Sequence, residues 1–289
     1  MTEPQTFTLE VPGAVLHYDI REGEGGGDAP TLLVIGSPMA AAGFVTLASH
    51  FEDRRVVTYD PRGAERSVRT DGAAESTPEE HADDLHRVIE AVGGGPVDVF
   101  ASSGGAVNAL VLAARHPEQV RTLVAHEPPA TSALPDRDEV LPVLHDIRDT
   151  YQKSGFGPAM AKFIALVSHD GPLTSAYLEQ PAPNPADFGL PTEDDGTRDD
   201  PLVGQNIVTC GEHEHDFKAL RAATTRIVLG VGADSGETLA ARGARAVAER
   251  IGVPATEFPG DHGAFLGGEY GQTGKPDEFA AALREVLDR

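Results

Sequence analysis

The chain has 289 residues, with 46 acidic residues against 23 basic ones and a formal charge of −23. Its length suits one large α/β domain with an insertion, and an apolar share of 40% allows a sizeable core. So acidic a surface repels phosphate backbones and anionic lipid, which argues against nucleic-acid and membrane partners. The single cysteine, Cys210, excludes an intrachain disulfide. The opening MTEPQTFTLEVPG lacks the basic and apolar segments of a secretory leader, and no run approaches the roughly 20 apolar residues of a membrane span. A cytoplasmic location, as a monomer or homodimer, is the expectation.

In chain order, Phe7 to Val11 and Ala14 to Ile20 alternate in polarity around Pro12-Gly13, as in an antiparallel hairpin. A Gly-rich loop over 22–29 follows. It lacks the strand-then-helix context of a phosphate site, and there is no GxGxxG or P-loop. The apolar runs TLLVI (31–35) and RVVTY (55–59) predict strands buried on both faces. Thr77-Pro78-Glu79-Glu80 predicts a capped helix start, with Leu85, Val88, Ile89 and Val92 at helical spacing behind it. A strand over 97–101, a helix over 104–115 and a strand over 121–126 come next. The alternation resumes with a strand over 226–231, a helix over 237–251, a strand over 255–258 and a closing amphipathic helix over 276–287. Such repetition predicts a mostly parallel sheet with helices on both faces.

Residues 130 to about 220 break this rhythm. Segments 139–152 and 157–168 have a helical pattern, whereas 181–201 is rich in Pro, Asp and Gly. The expected division is a core of residues 1–129 and 221–289 with a helical cap insertion of residues 130–220 that has no evident core of its own. Phe156, Met160, Phe163, Leu166 and Tyr177 are candidates to line a pocket there, although Met160, Phe163, Ile164 and Val167 stand at the spacing of ordinary packing.

Ala101-Ser102-Ser103-Gly104-Gly105 joins a buried strand to a helix, the context a nucleophile elbow requires. The residues two before and two after the nucleophile crowd together in such a turn, and Ala101 and Gly105 are both small. Ser102 would need bulky Phe100 in that place, so Ser103 is the candidate nucleophile, at a helix N-terminus that favours developing negative charge.

With three further segments the chain resembles the α/β-hydrolase superfamily over nearly its whole length. Ile35-Gly36-Ser37-Pro38 resembles the family's oxyanion loop, His-Gly-x-Pro, with Ile35 in place of His. The resemblance implies oxyanion donors at the Ser37 and Gly104 N–H groups; Pro38 has none to offer. Asp60-Pro61-Arg62-Gly63-Ala64-Glu65-Arg66-Ser67 looks like the family's D-x-R-G-x-G-x-S turn, with Glu65 in place of Gly. Asp60 and Arg62 are expected to be structural there, bracing the nucleophile loop. His262, in Pro259-Gly260-Asp261-His262-Gly263, stands where the family keeps its general base.

The triad acid has two candidates. Asp234, after RIVLGVGA, is in the superfamily's commonest position. Glu127, after RTLVAH, resembles the arrangement of haloalkane dehalogenases and the zearalenone-lactonase group, with the acid one strand after the nucleophile. Glu127 is favoured because Pro128-Pro129 stiffens its loop and its side chain is long; Asp234 stands beside Ser235-Gly236-Glu237 and could instead cap a helix. Both remain open at this level.

Cys210, His213, His215 and Asp216 are close in sequence, but the spacing fits a polar helix surface better than a metal site. The resemblance implies an α/β-hydrolase fold with an eight-stranded sheet and a serine esterase or lactonase acting on a small-molecule ester or lactone, with no cofactor or metal. Thioester or carbon–carbon hydrolysis, cofactor-free haloperoxidase or perhydrolase chemistry, and non-catalytic ligand binding on the same fold are the alternatives. Dehalogenase and epoxide-hydrolase chemistry is disfavoured, because those relatives use Asp where Ser103 stands.

Overall fold

The computed structural model describes residues 3–24 and 29–289. Residues 25–28 of the expected Gly-rich loop, and residues 1–2, lie outside the described residues. The strands are β1 (Gln5–Val11), β2 (Ala14–Arg21), β3 (Leu32–Ile35), β4 (Val56–Asp60), β5 (Val68–Arg69), β6 (Val97–Ser102), β7 (Val120–His126), β8 (Arg226–Gly232) and β9 (Ala255–Phe258). Eight run in the order β1-β2-β4-β3-β6-β7-β8-β9, and two-residue β5 adds a ninth by pairing with β2, one more than the sequence pattern predicts. The pairs β1–β2, β2–β4 and β2–β5 are antiparallel, and every pair from β4 to β9 along the order is parallel.

The helices are α1 (Val45–Ser49), α2 (Pro78–Ala91), α3 (Gly104–Arg115), α4 (Arg137–Ser154), α5 (Phe156–Val167), α6 (Ile207–Glu212), α7 (Phe217–Ala222), α8 (Leu239–Ile251) and α9 (Pro276–Leu287). Successive strand residues point to opposite faces of a sheet. Leu33, Ile35, Val99, Ala101, Leu123 and Ala125 accordingly pack with α2, α3 and α8, while their neighbours Leu32, Val34, Phe100 and Val124 pack with α1 and α9. Two apolar layers thus sandwich the sheet, which is why β3 and β6 are buried throughout and read as continuous apolar runs. The α2 capping box is present: Thr77 accepts from the Glu80 N–H, and Glu80 accepts from the Thr77 N–H. Helix α8 begins at Leu239, two residues later than its periodicity predicts, and the Glu237 N–H before it donates to Asp170.

Between β7 and β8 the chain does gather apolar residues of its own, contrary to expectation. Val140, Val143, Leu144, Ile147 and Tyr151 of α4 pack with Leu166 of α5 and with Val203, Ile207 and Val208; Leu239 of α8 joins them from outside. Phe156, Met160, Phe163 and Tyr177 lie partly buried against this cluster, and Leu166 is within it. Three of its thirteen buried residues, Val203, Ile207 and Val208, come from a π-helical turn, Pro201–Asn206, and the short helix after it, where no 3.6-residue pattern develops to announce them in sequence. One tether to the core is Asp136, which pairs with Arg242 of α8 at 2.7 Å.

The charged turn after β4 is structural, but it braces other segments than expected. Asp60 accepts the Ala41 N–H at 3.0 Å and the Arg66 Nε–H at 2.6 Å, which fixes the chain beyond residues 36–38 rather than the turn at Ser103. Arg62 forks onto Asp84 of α2 at 2.7 and 2.8 Å, and Asp84 is fully buried. Burying an ion pair is costly, and leaving one partner alone costs more. Replacing Arg62→Met should therefore lower the unfolding free energy by about 3 kcal/mol. Urea denaturation measures this, and adding Asp84→Leu should restore part of the loss.

Candidate active site

Ser103 stands between β6 and α3 with φ +58° and ψ −130°, a backbone conformation that non-glycine residues rarely adopt. Holding it costs on the order of 1–3 kcal/mol. Its N–H donates to the His126 carbonyl at 3.0 Å, and its carbonyl accepts from Ala106 at 2.9 Å. Ser102, the rejected neighbour, is buried, with its hydroxyl 3.3 Å from His126 Nδ1.

The glycines after Ser103 are required by close approach. A Cβ on Gly104 would lie 2.6 Å from the Ser37 carbonyl oxygen, and one on Gly105 would lie 2.7 Å from Gly36 Cα. The loop after β3 therefore rests directly on the first turn of α3, whose leading N–H groups have no partner within the helix. Ser37 and Gly104 are brought together in this way.

Glu127 follows β7, is fully buried, and also has a positive φ, +47°. Its Oε2 is 2.7 Å from His262 Nδ1, and its Oε1 accepts the Gly232 N–H at 2.8 Å. Burial alone would raise its pKa, but the hydrogen bond and charge of His262 outweigh that and hold it at about 2. An ionised Glu127 can only accept, so Nδ1 of His262 carries the shared hydrogen, and in the neutral ring Nε2 is the acceptor. The His262 side chain is 45% exposed, so the ring reaches the solvent side of the site.

Asp234 is not on His262. It pairs with Lys275 Nζ at 2.8 Å and is mostly exposed, and its own N–H donates to the Gly260 carbonyl. Nor does it cap α8, whose N-cap is Thr238. Of the two candidate acids, only Glu127 contacts the histidine.

A family model described as alpha/beta hydrolase fold matches residues 30–187, more than half of the chain. The chain belongs to the α/β-hydrolase-fold family. It is 30% identical over 98% of its length to an uncharacterized hydrolase, YraK, of Bacillus subtilis (strain 168), covering 96% of that protein. Among solved structures it resembles an enol-lactonase from Burkholderia xenovorans LB400, with a TM-score of 0.68, 17% identity, and 98% and 100% of the two chains covered. A carboxylesterase structure from the thaumarchaeon Nitrososphaera gargenis gives a TM-score of 0.66 at 18% identity, with 97% of each chain covered. At these identities the structural matches establish fold alone.

Within this α/β-hydrolase fold, the cysteine–histidine stretch has local partners of its own. Burial pushes the Cys210 thiol up to about 12 and the His215 imidazole down to about 3. His213 pairs with Glu79 at 3.0 Å, and Asp216 accepts the Ala219 N–H that opens α7. Among the described residues, no group of three or more His, Cys, Asp or Glu side chains is arranged to hold a metal, and no helix is long and apolar enough to cross a membrane.

Sequence reasoning passed over His126. It is fully buried among Phe100, Phe258, Phe265 and Phe279, with its ring centroid 5.9 Å from that of His262. The only sequence signal is a histidine ending an apolar strand; its aromatic cage comes from distant segments. Burial holds its pKa at about 3 against an ordinary 6.5. The unfolded chain thus takes up this proton near pH 6.5 and the folded chain only near 3, so stability falls as pH drops through that window. His126→Phe should flatten the slope of unfolding free energy between pH 5 and 6 by about 1.4 kcal/mol per pH unit. Denaturant titrations at several pH values provide the check, and His81 and His215, both held at about 3, keep the slope from vanishing.

Proposed function

We propose that the protein is a serine hydrolase that cleaves a carboxylic ester or lactone through an acyl-enzyme. The observation that carries this reading is the buried Glu127 carboxylate on His262 Nδ1, one strand away from a serine held in a strained turn at a helix N-terminus. A surface or purely structural histidine has no need of a buried, ionised partner that leaves its second nitrogen free.

In this mechanism Ser103 Oγ attacks the carbonyl carbon and its proton passes to His262 Nε2. Glu127 holds the ring in the right tautomer and stabilises the imidazolium. The N–H groups of Ser37 and Gly104 receive the oxyanion of the tetrahedral intermediate. Collapse breaks the bond to the leaving oxygen, which takes the proton from His262. Water then gives a proton to His262 and attacks the acyl carbon; the second collapse frees the acid and restores Ser103. Asp234 has no part in this route. Residues 130–220 act as a cap over the strand ends. The similarity in fold to an enol-lactonase and a carboxylesterase supports an ester or lactone carbonyl as the target.

A panel of short aryl esters, γ- and δ-lactones and one thioester tests the reading, together with labelling of Ser103 by a fluorophosphonate. Ser103→Ala should abolish both turnover and labelling. Glu127→Gln should lower kcat by about 10³-fold or more, because it disturbs the histidine tautomer. Asp234→Asn should stay within about threefold of wild type, the range of a surface change. A wild-type chain that neither turns over the panel nor labels at Ser103 overturns the proposal. A large loss confined to Asp234→Asn overturns the acid assignment.

A further inference from the structure

We propose that Asn206 is a positioning residue that holds the oxyanion loop against α3; this rests on the serine-hydrolase reading above. The Asn206 carboxamide donates to Ser37 Oγ at 3.2 Å, across 169 positions of sequence, and both residues are almost fully buried.

An oxyanion donor works only if it is aimed before the reaction starts. The Ser37 peptide lies in a loop between two fixed points: β3 ends at Ile35, and the Ala41 N–H is held by Asp60 at 3.0 Å. Gly104 limits how the Ser37 carbonyl can sit, since it leaves no room for a Cβ there. That contact restrains one side of the residue. The hydrogen bond from Asn206 restrains the other and fixes the rotation of Ser37.

Asn206 is well held for this task. It ends the π-helical turn Pro201–Asn206, whose first N–H groups are taken by Asp200 at 2.8 and 2.9 Å. On one side Gln205 accepts the Ser76 N–H at 3.1 Å, and on the other the Thr209 hydroxyl donates to the Ser76 carbonyl at 2.6 Å. None of these bonds uses the Asn206 side chain, so the segment keeps its place when that side chain is shortened. A π turn inserts a residue and re-aims side chains, a device found frequently at functional sites. Here it turns the carboxamide toward Ser37. The outcome is a direct link from the segment between β7 and β8 to the oxyanion loop.

The test follows phosphonylation of Ser103 in the full-length chain by a fluorophosphonate–biotin probe, because this reaction places a tetrahedral oxygen in the oxyanion site without requiring a known substrate. Second-order rate constants come from intact mass spectrometry. Asn206→Ala should label about tenfold more slowly, a fraction of the loss from deleting a donor outright, with its melting temperature within about 2 °C of wild type. Ser37→Ala should show a similar loss, and the double variant should be no slower than the slower single one, because both remove the same bond. With any ester turned over, kcat should fall while KM holds. Unchanged labelling in Asn206→Ala, losses that multiply in the double variant, or slowing that merely tracks a lower melting temperature would each overturn the assignment of Asn206 and leave the serine-hydrolase reading intact. Failure of the wild type to label at Ser103 would bring down both.

Discussion

A carboxylate without solvent exposure is the constraint around which this molecule is organised. Burying Glu127 costs several kcal/mol unless its oxygens are satisfied. Both are: one by His262 at 2.7 Å and the other by the Gly232 N–H at 2.8 Å. Those partners tie together the ends of three neighbouring strands, because Glu127 follows β7, Gly232 ends β8 and His262 lies just past β9. Helix α8 is drawn in as well, since Gly243 leaves no space for a Cβ against the Pro128 carbonyl. The groups gather at the carboxyl ends of parallel strands, where an open α/β sheet places its crevice.

Two of the residues with strained backbone, Ser103 and Glu127, share one device. Ser103 and Glu127 each stand one position past a strand with φ above zero, and each sends its N–H to a carbonyl of the next strand over, His126 and Gly230. The sheet ladder is carried one bond further while the chain turns sharply out of it. This last bond, together with the core beneath, holds a conformation that costs on the order of 1–3 kcal/mol per residue. Two side chains are thereby thrown to the same end of the sheet from adjacent strands, a consequence of topology more than of either local sequence.

That distinction explains what was legible beforehand. The central strands could be read because burial on both faces leaves continuous apolar runs, and α2 because its capping box is a local signal. The turn at Ser103 could be read because crowding dictates small residues on either side. Two-residue β5 carries no period at all, and the apolar residues at 203–208 sit on a π turn whose spacing matches neither helix nor strand. Choosing between Glu127 and Asp234 required strand order and a lysine 41 residues from Asp234, neither of which a strand-end carboxylate reveals in sequence. His126 and Asn206 escaped for the same reason: their partners are distant in sequence, and each looks locally like an ordinary polar residue.

The charge balance gains meaning from the same pairings. The formal −23 counts charges without regard to where they lie. Arg54 and Arg62 are almost wholly buried, on Asp98 and Asp84, and Arg242 is buried on Asp136. The half-exposed Arg66 and Arg121 are also committed to carboxylates. These pairs cancel locally and leave the outer surface dominated by acidic groups. Such a field does not oppose approach of a neutral ester or lactone, but it repels an anion. Hydrolysis turns the first into the second. On the serine-hydrolase reading, the potential that leaves the substrate indifferent works against retention of the carboxylate product, and it does so without a residue placed at the site for that purpose.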